Sequence, residues 1–495
     1  MLGLDRIDVR LLGLVRLWLG LVLLGDLLRR LPDLRFFYTE DGMLPSHGHL
    51  FAPLFSPGFS LLHAFNTGAE VAVAFGLIGG VYAAYLVGYR TRLAQLLSLA
   101  AYTSLNNRNI FLENTGAMTL GLVLTWTLLL PMGRAWSVDA ALGRERGPLL
   151  HRSLAVAAIP LQIAVCYFFN AIQKNGETWR SGEAVHWVLW QNRIATPLAG
   201  WLRMHEPSWL SPALSWGTLG IEAAAPALVL WPGRSWKPRA AHVLLTTCLH
   251  GGIALLFFLG VFPFVMLGLN ALVLPRPLVE RLDRRLRMLV GTRFAGPDHG
   301  QDMQQRWPEP WALWVALREA LAGFLLLAAA WSALRGNWIV PPRWRPPPVA
   351  ALEAPVAYLR GHQTWSLFAP EAPREDGTVV VEATTAGGRR VDPFTGKEPE
   401  LDPPGPWGYG QLWCDYFFHL RRPELSPYHR HLRRYLLRWH QLTNRPPEDR
   451  LVSYRVWWLG YRSPPPGATG QTPTERRLLL EDRADSSLPT GDQAW

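Results

Sequence analysis

The chain has 495 residues, 49% hydrophobic and 18% charged, with a net charge of +11. Its apolar residues are clumped into long runs, which argues against an ordinary soluble domain and for a polytopic membrane protein. The positive charge is mostly arginine in short segments between those runs, a poor arrangement for nucleic acid, and the three cysteines form no disulfide or metal motif.

In chain order the candidate spans are 11–28, 69–88, 93–105, 115–133, 150–173, 211–231, 240–274 and 311–334. The run 240–274 exceeds one crossing and is expected to fold back near Phe262-Pro263. Residues 51–65 and 93–105 are short enough for re-entrant or interfacial segments. The sum is about eight or nine crossings. Asp26, Arg29 and Arg30 follow the first run with no small-residue cleavage site, so the first span is expected to stay in the mature protein. Arginine is densest from Arg276 to Arg306, including Arg281, Arg284, Arg285, Arg287 and Arg293. The positive-inside rule then predicts a cytoplasmic loop there, in an inner (cytoplasmic) membrane, with span 311–334 delivering the C-terminal region outside.

Beyond Leu334 the composition changes. A stiff proline-rich linker, 339–348, precedes a predicted β-hairpin at 377–392 that turns at Gly387-Gly388. Helical patterning follows over 410–442 and a strand over 451–459, while Pro, Gly, Thr and charges over 463–495 predict disorder. The predicted fold class is an all-α polytopic membrane bundle over 1–335 with a small α+β extramembrane domain over 336–462 and an unstructured tail over 463–495.

Polar residues inside the apolar runs are the candidate chemistry. The segment 163–179, IAVCYFFNAIQKNGETW, turns one helix face polar through Asn170, Gln173 and Lys174. A lysine at that depth is a functional-site candidate, with snorkelling to the headgroups as the bland alternative. Asn106, Asn107, Arg108 and Asn109 interrupt another apolar region; Glu222 lies in GTLGIEAAAPALVLW and His250 in LLTTCLHGGIALLFF. Taken singly, each has a structural explanation: loop closure, an arginine partner, or a backbone carbonyl. Their presence in four different spans points to one interior site, because helix bundles build sites from facing side chains. No Walker loop, dinucleotide fingerprint, zincin helix or CxxC occurs in its proper context, and no metal is predicted.

Four segments resemble the HTTM (horizontally transferred transmembrane) domain shared with vitamin K-dependent γ-carboxylases. They are 26–45 (DLLRRLPDLRFFYTEDGMLP), 102–139, 167–190 (YFFNAIQKNGETWRSGEAVHWVLW) and 248–266 (CLHGGIALLFFLGVFPFVM). The strip WSLFAPEAPREDG at 365–377 is similar to the stretch after the membrane part in bacterial relatives. The resemblance implies that Lys174 is the base that deprotonates reduced vitamin K or a similar quinone such as menaquinol. Oxygen addition would then generate the strong base that ionises a glutamate side chain for carbon dioxide to trap, a lyase-type reaction. It further implies that His250, Asn107 and Glu222 stand at family positions; the expected catalytic residues are Lys174 and His250, and the expected substrate-binding residues Asn107, Arg108, Glu222 and Asn170. Where the carboxylases carry a histidine after the Asn-Asn pair, this chain has Arg108, and a guanidinium neither takes nor relays a proton near neutral pH. The expected partners are the bilayer and a lipidic quinone or peptide substrate. A non-catalytic membrane protein that binds a lipid or a partner protein through its tail is the alternative.

Overall fold

The computed structural model describes residues 4–46, 50, 58–145, 147–292, 309–402 and 409–483. The N-terminal two thirds are helical. We label α1 (Val9–Arg30), α2 (Gly68–Val87), α3 (Thr91–Arg108), α4 (Thr115–Leu128), α5 (Leu154–Gln173) and α6 (Leu210–Val229). Then come α7 (Lys237–Leu256), α8 (Phe262–Ala271), α9 (Arg276–Val290) and α10 (Glu309–Gly336). Among the described residues five helical segments are long and apolar enough to cross a membrane: Val9–Tyr38, α2, α5, α7 and Leu313–Gly336. A sixth is reached if α8 and α9, bent by 106°, count as one broken span. The eight or nine anticipated crossings are thus not confirmed. The reasons are local: α4 has only 14 residues, α3 carries Gln95, Ser98 and a polar Asn106-Asn107-Arg108 end, and α6 is diluted by serines, Thr218 and Glu222. The long run 240–274 does break, at Phe257–Val261, and Pro263 then sits in the first turn of α8, where its missing N–H costs nothing.

Strand β1 (Arg6–Asp8) pairs antiparallel with β2 (Leu150–Arg152), tying the N-terminus to the start of α5. Asp8 caps α1 through Arg10 N. The buried Arg10 guanidinium then contacts Asp8 at 2.7 Å and Asp283 of α9 at 3.2 Å. The arginine-rich 276–306 segment therefore begins as a helix; Arg293 and Arg306 lie outside the described residues.

The C-terminal part holds a four-stranded antiparallel sheet, ordered β4 (Arg390–Val391), β3 (Glu375–Thr385), β5 (Leu451–Arg462), β6 (Thr472–Arg483). The hairpin and the 451–459 strand form as their alternation predicts. Expected disorder over 463–495 is corrected for Thr472–Arg483: this segment adds to the open side of β5, with Val456 opposite Leu480 and Trp457 opposite Leu478. Its charges belong to an edge strand, where they guard against further pairing, and Pro473 is tolerated because it lies near the strand's start. Residues 484–495 are outside the described set. Two helices, α11 (Gln411–Leu420) and α12 (His429–Leu442), cover the 410–442 region. Helix α11 wedges its aromatics into the membrane part: Trp413 packs 4.9 Å from Phe37 and Tyr416 5.3 Å from Phe111, ring centre to ring centre. One apolar core therefore runs from the bundle into the tail.

Candidate functional site

Helix α5 starts at a Ser153 cap and stops at Lys174, which leaves helical geometry at φ −81°, ψ 57°. The chain turns here because the next segment is held from outside. Gly176 N donates to Pro370 O at 3.1 Å, and the Glu371 carboxylate accepts from the backbone N–H groups of Glu177 and Thr178. Any Cβ at Gly176 would run into that carboxylate. The strip WSLFAPEAPREDG is thus the clamp that fixes where the lysine points.

The Lys174 ammonium sits 2.6 Å from each oxygen of Glu222 on the facing helix α6. The side chains are only 3% and 5% exposed, so water screens little of their attraction. Asn170, one turn before the lysine, donates to Glu222 Oε1 at 2.9 Å and accepts from Leu367 N at 3.1 Å. The Trp179 ring lies 4.8 Å from Nζ and adds a cation–π contact. Glu222 therefore takes the lysine as partner, not an arginine, and Lys174 does not reach toward headgroups. Gln173 turns away: its Nε2 donates to Asn337 Oδ1 at 3.0 Å and Trp365 O at 2.7 Å.

A second polar group stands on α7 and α8. His250 Nε2 lies 2.7 Å from Tyr167 OH, Asn270 Nδ2 donates to Tyr167 OH at 2.8 Å and to Met266 O at 2.8 Å, and His242 Nε2 lies 2.8 Å from Asn270 Oδ1. The directions follow from the inventory of donors and acceptors. Met266 O only accepts, so it fixes the Asn270 amide; Oδ1 only accepts, so His242 Nε2 carries a proton. With one acceptance from Asn270, Tyr167 OH still has both a proton to donate to His250 Nε2 and a lone pair to accept from it. His250 Nδ1 is buried and has no hydrogen-bond partner among the described residues, so the chain of bonds ends in one unspent ring nitrogen.

Both groups line one cavity of about 320 Å³, within the usual range of small-molecule pockets, roughly 300–1,000 Å³. Most of its wall is apolar, including Val188, Ile194, Ile253, Phe262 and Phe368. Its roof comes from the tail: Gln411, Asp415, Phe418 and His419 of α11. Burial there pushes the Asp415 carboxyl up to about 7. Lys174, Glu222, Asn170 and His250 are therefore brought together. Asn107 and Arg108 are not in the lining. Asn107 Nδ2 donates to Tyr358 O at 3.1 Å and its Oδ1 accepts from Arg360 at 2.8 Å. Arg108 donates to Leu44 O at 2.7 Å and Thr39 O at 3.1 Å, fixing the 39–44 loop.

Sequence reasoning missed Tyr167, His242, Asn270, Asp415 and His419. Asn270 carried a signal, as an amide inside FPFVMLGLNALVL. Asp415 and His419 did not, because on an amphipathic helix such residues read as a solvated face. No solved structure matches this chain. The model of the HTTM domain matches residues 5–276, more than half of the 495-residue chain. Together with the apolar helices this makes it a multi-pass membrane protein, and the chain belongs to the HTTM domain family.

Proposed function

We propose that this protein is an enzyme of the vitamin K-dependent carboxylase type, taking a proton from a reduced quinone or similar lipidic acid in the cavity roofed by α11. The observation that carries this reading is the sealed Lys174–Glu222 pair facing an apolar cavity. The residues present suit a quinone-type ring. The cavity has the volume and apolar walls for it, and His250 Nδ1 is a buried ring nitrogen without a partner among the described residues. Lys174, Glu222 and His250 would hold its oxygens, with Phe262 and Ile253 against its faces. When bound, a reduced quinone supplies an acidic phenolic proton and two electrons.

The roles of the chain's own residues derive from their hydrogen bonds. Lys174 and Glu222 act as one proton-handling unit, because their charged atoms lie 2.6 Å apart with little water between them. In the ion-paired state the ammonium is spent on the carboxylate. Uptake of one further proton leaves the ammonium uncancelled, and in a water-poor site its charge strongly favours negative charge nearby. With its proton on Nδ1, His250 would act in the same direction. Asn170 orients Glu222, and Asn107 and Arg108 serve as scaffold through their backbone carbonyl partners. In this reading the protein lies in an inner membrane, with the arginine-rich α9 side cytoplasmic and the tail outside.

One observation favours a second reading, a non-catalytic lipid-binding protein: Lys174 is already neutralised by Glu222. Identifying the lipid that co-purifies separates the two. Mass spectrometry of wild type and Lys174→Ala is expected to find a quinone in the first and much less in the second. Equal recovery of ordinary phospholipid alone from both would overturn the enzymatic reading.

A further inference from the structure

The roof of the cavity lies outside the matched residues 5–276. His419 Nδ1 is within 2.8 Å of Asp415 O and 3.0 Å of Phe111 O. Both are carbonyls, which only accept, so Nδ1 carries the proton and Nε2 keeps its lone pair. Burial lowers the imidazole pKa, which keeps the ring neutral at pH 7. Among the described residues Nε2 has no hydrogen-bond partner, and His419 lines the cavity. The same cavity is lined by the Lys174–Glu222 ion pair and by His250, whose Nδ1 has no partner among the described residues. The roof adds a neutral acceptor to that lining. Its position is firm, since α11 is anchored by Trp413 and Tyr416 against Phe37 and Phe111 and by the Asn114 Nδ2 bond to Asp415 Oδ2 at 3.0 Å.

We propose that His419 Nε2 accepts a hydrogen bond from a hydroxyl of the same ligand that the Lys174–Glu222 pair acts on, so that the tail selects lipidic compounds carrying a second hydroxyl, as hydroquinones do. The inference rests on reading the cavity as the site of a lipidic acid. No bond is made or broken at His419; it positions the ligand and sets specificity.

The test is anaerobic titration of the full chain in detergent micelles, monitored by tryptophan fluorescence. The probes are 2-methyl-1,4-naphthohydroquinone and its two monomethyl ethers. Loss of one neutral hydrogen bond is expected to weaken binding about threefold to tenfold. His419→Leu should therefore bind the hydroquinone that much more weakly than wild type, and should no longer distinguish it from the ether that lacks the roof-side hydroxyl. His419→Gln, whose amide oxygen accepts, should recover part of the preference and keeps the test decisive if the leucine variant fails to fold. An undiminished preference in His419→Leu and His419→Gln alike would overturn the inference. Failure of the two readings is distinguishable. If Lys174→Ala abolishes proton uptake while His419→Leu leaves the preference intact, only the roof is wrong. If Lys174→Ala takes up protons as wild type does and His419→Leu still loses the preference, the roof stands and the proton-transfer reading falls.

Discussion

Removing the negative partner of Lys174 is the most informative perturbation of stability. Glu222→Gln keeps the shape and leaves an amide oxygen near Nζ, but it strands a charge in a site where both partners are nearly sealed from water. Breaking a buried pair from one side costs about 3–5 kcal/mol, because the surviving ion loses its compensation without regaining water. The bidentate 2.6 Å contacts and the Asn170 bond to the same carboxylate place this pair at the upper end of that range. Replacing both ions by apolar residues, Lys174→Met with Glu222→Leu, removes the stranded charge and should recover most of the loss. The assay is reversible unfolding in mixed micelles of a mild detergent and dodecyl sulfate, run as a double-mutant cycle. A coupling energy above about 2 kcal/mol is expected for groups in direct contact. A loss below about 1 kcal/mol for Glu222→Gln, the range of exposed pairs, would refute the picture of a desolvated site.

Three further outcomes are expected from the same geometry. His186 has acceptors at both ring nitrogens, Glu206 Oε2 at 2.7 Å and Pro464 O at 2.9 Å. Burial opposes its charge, but the bonds to Glu206 and Pro464 outweigh that and raise its pKa. Its stabilisation is therefore complete below about 6.5, the unfolded value, and is lost as pH rises through the raised folded value. Limited proteolysis of the tail should accelerate over that upper window, and His186→Gln should flatten the dependence. Gly260 sits at φ +56° against the Gln411 side chain, so Gly260→Ala combines backbone strain with a clash and should loosen α11, read as faster cleavage near residue 411. Asp283→Asn should leave Arg10 with Asp8 and only the long 3.9 Å contact to Glu280, and so loosen α9, seen as raised hydrogen exchange over 276–290 with little change in the tail.

Much of this architecture was legible in the residues. Lys174, Glu222 and His250 announced themselves because ionisable groups in apolar runs are costly unless they meet. Lys174 and Glu222 do meet, with Asn170 on the same carboxylate, and His250 lines the same cavity. The hairpin and β5 followed from period-2 alternation, and the break before Pro263 from its missing donor. Three features were hidden for physical reasons. Arg108 reads like a site residue, yet its guanidinium is spent on carbonyls of a loop more than sixty residues earlier, a pairing that spacing cannot reveal. Strand β6 has a charged, proline-containing sequence, and only the open edge of β5 makes it a strand. Asp415 and His419 face the cavity because Phe37 and Phe111 set the rotation of α11, which is a tertiary decision.

The central claim is that the Lys174–Glu222 pair moves a proton from a lipidic acid. Its most direct test is oxidation of a naphthohydroquinone by dissolved oxygen in the presence of the purified protein in lipid nanodiscs, wild type against Lys174→Ala and Glu222→Gln. Wild type is expected to oxidise it at least about a hundredfold faster than either variant, the low end for loss of a positioned acid–base group. Equal rates in all three, with each variant shown to be folded, would contradict the account.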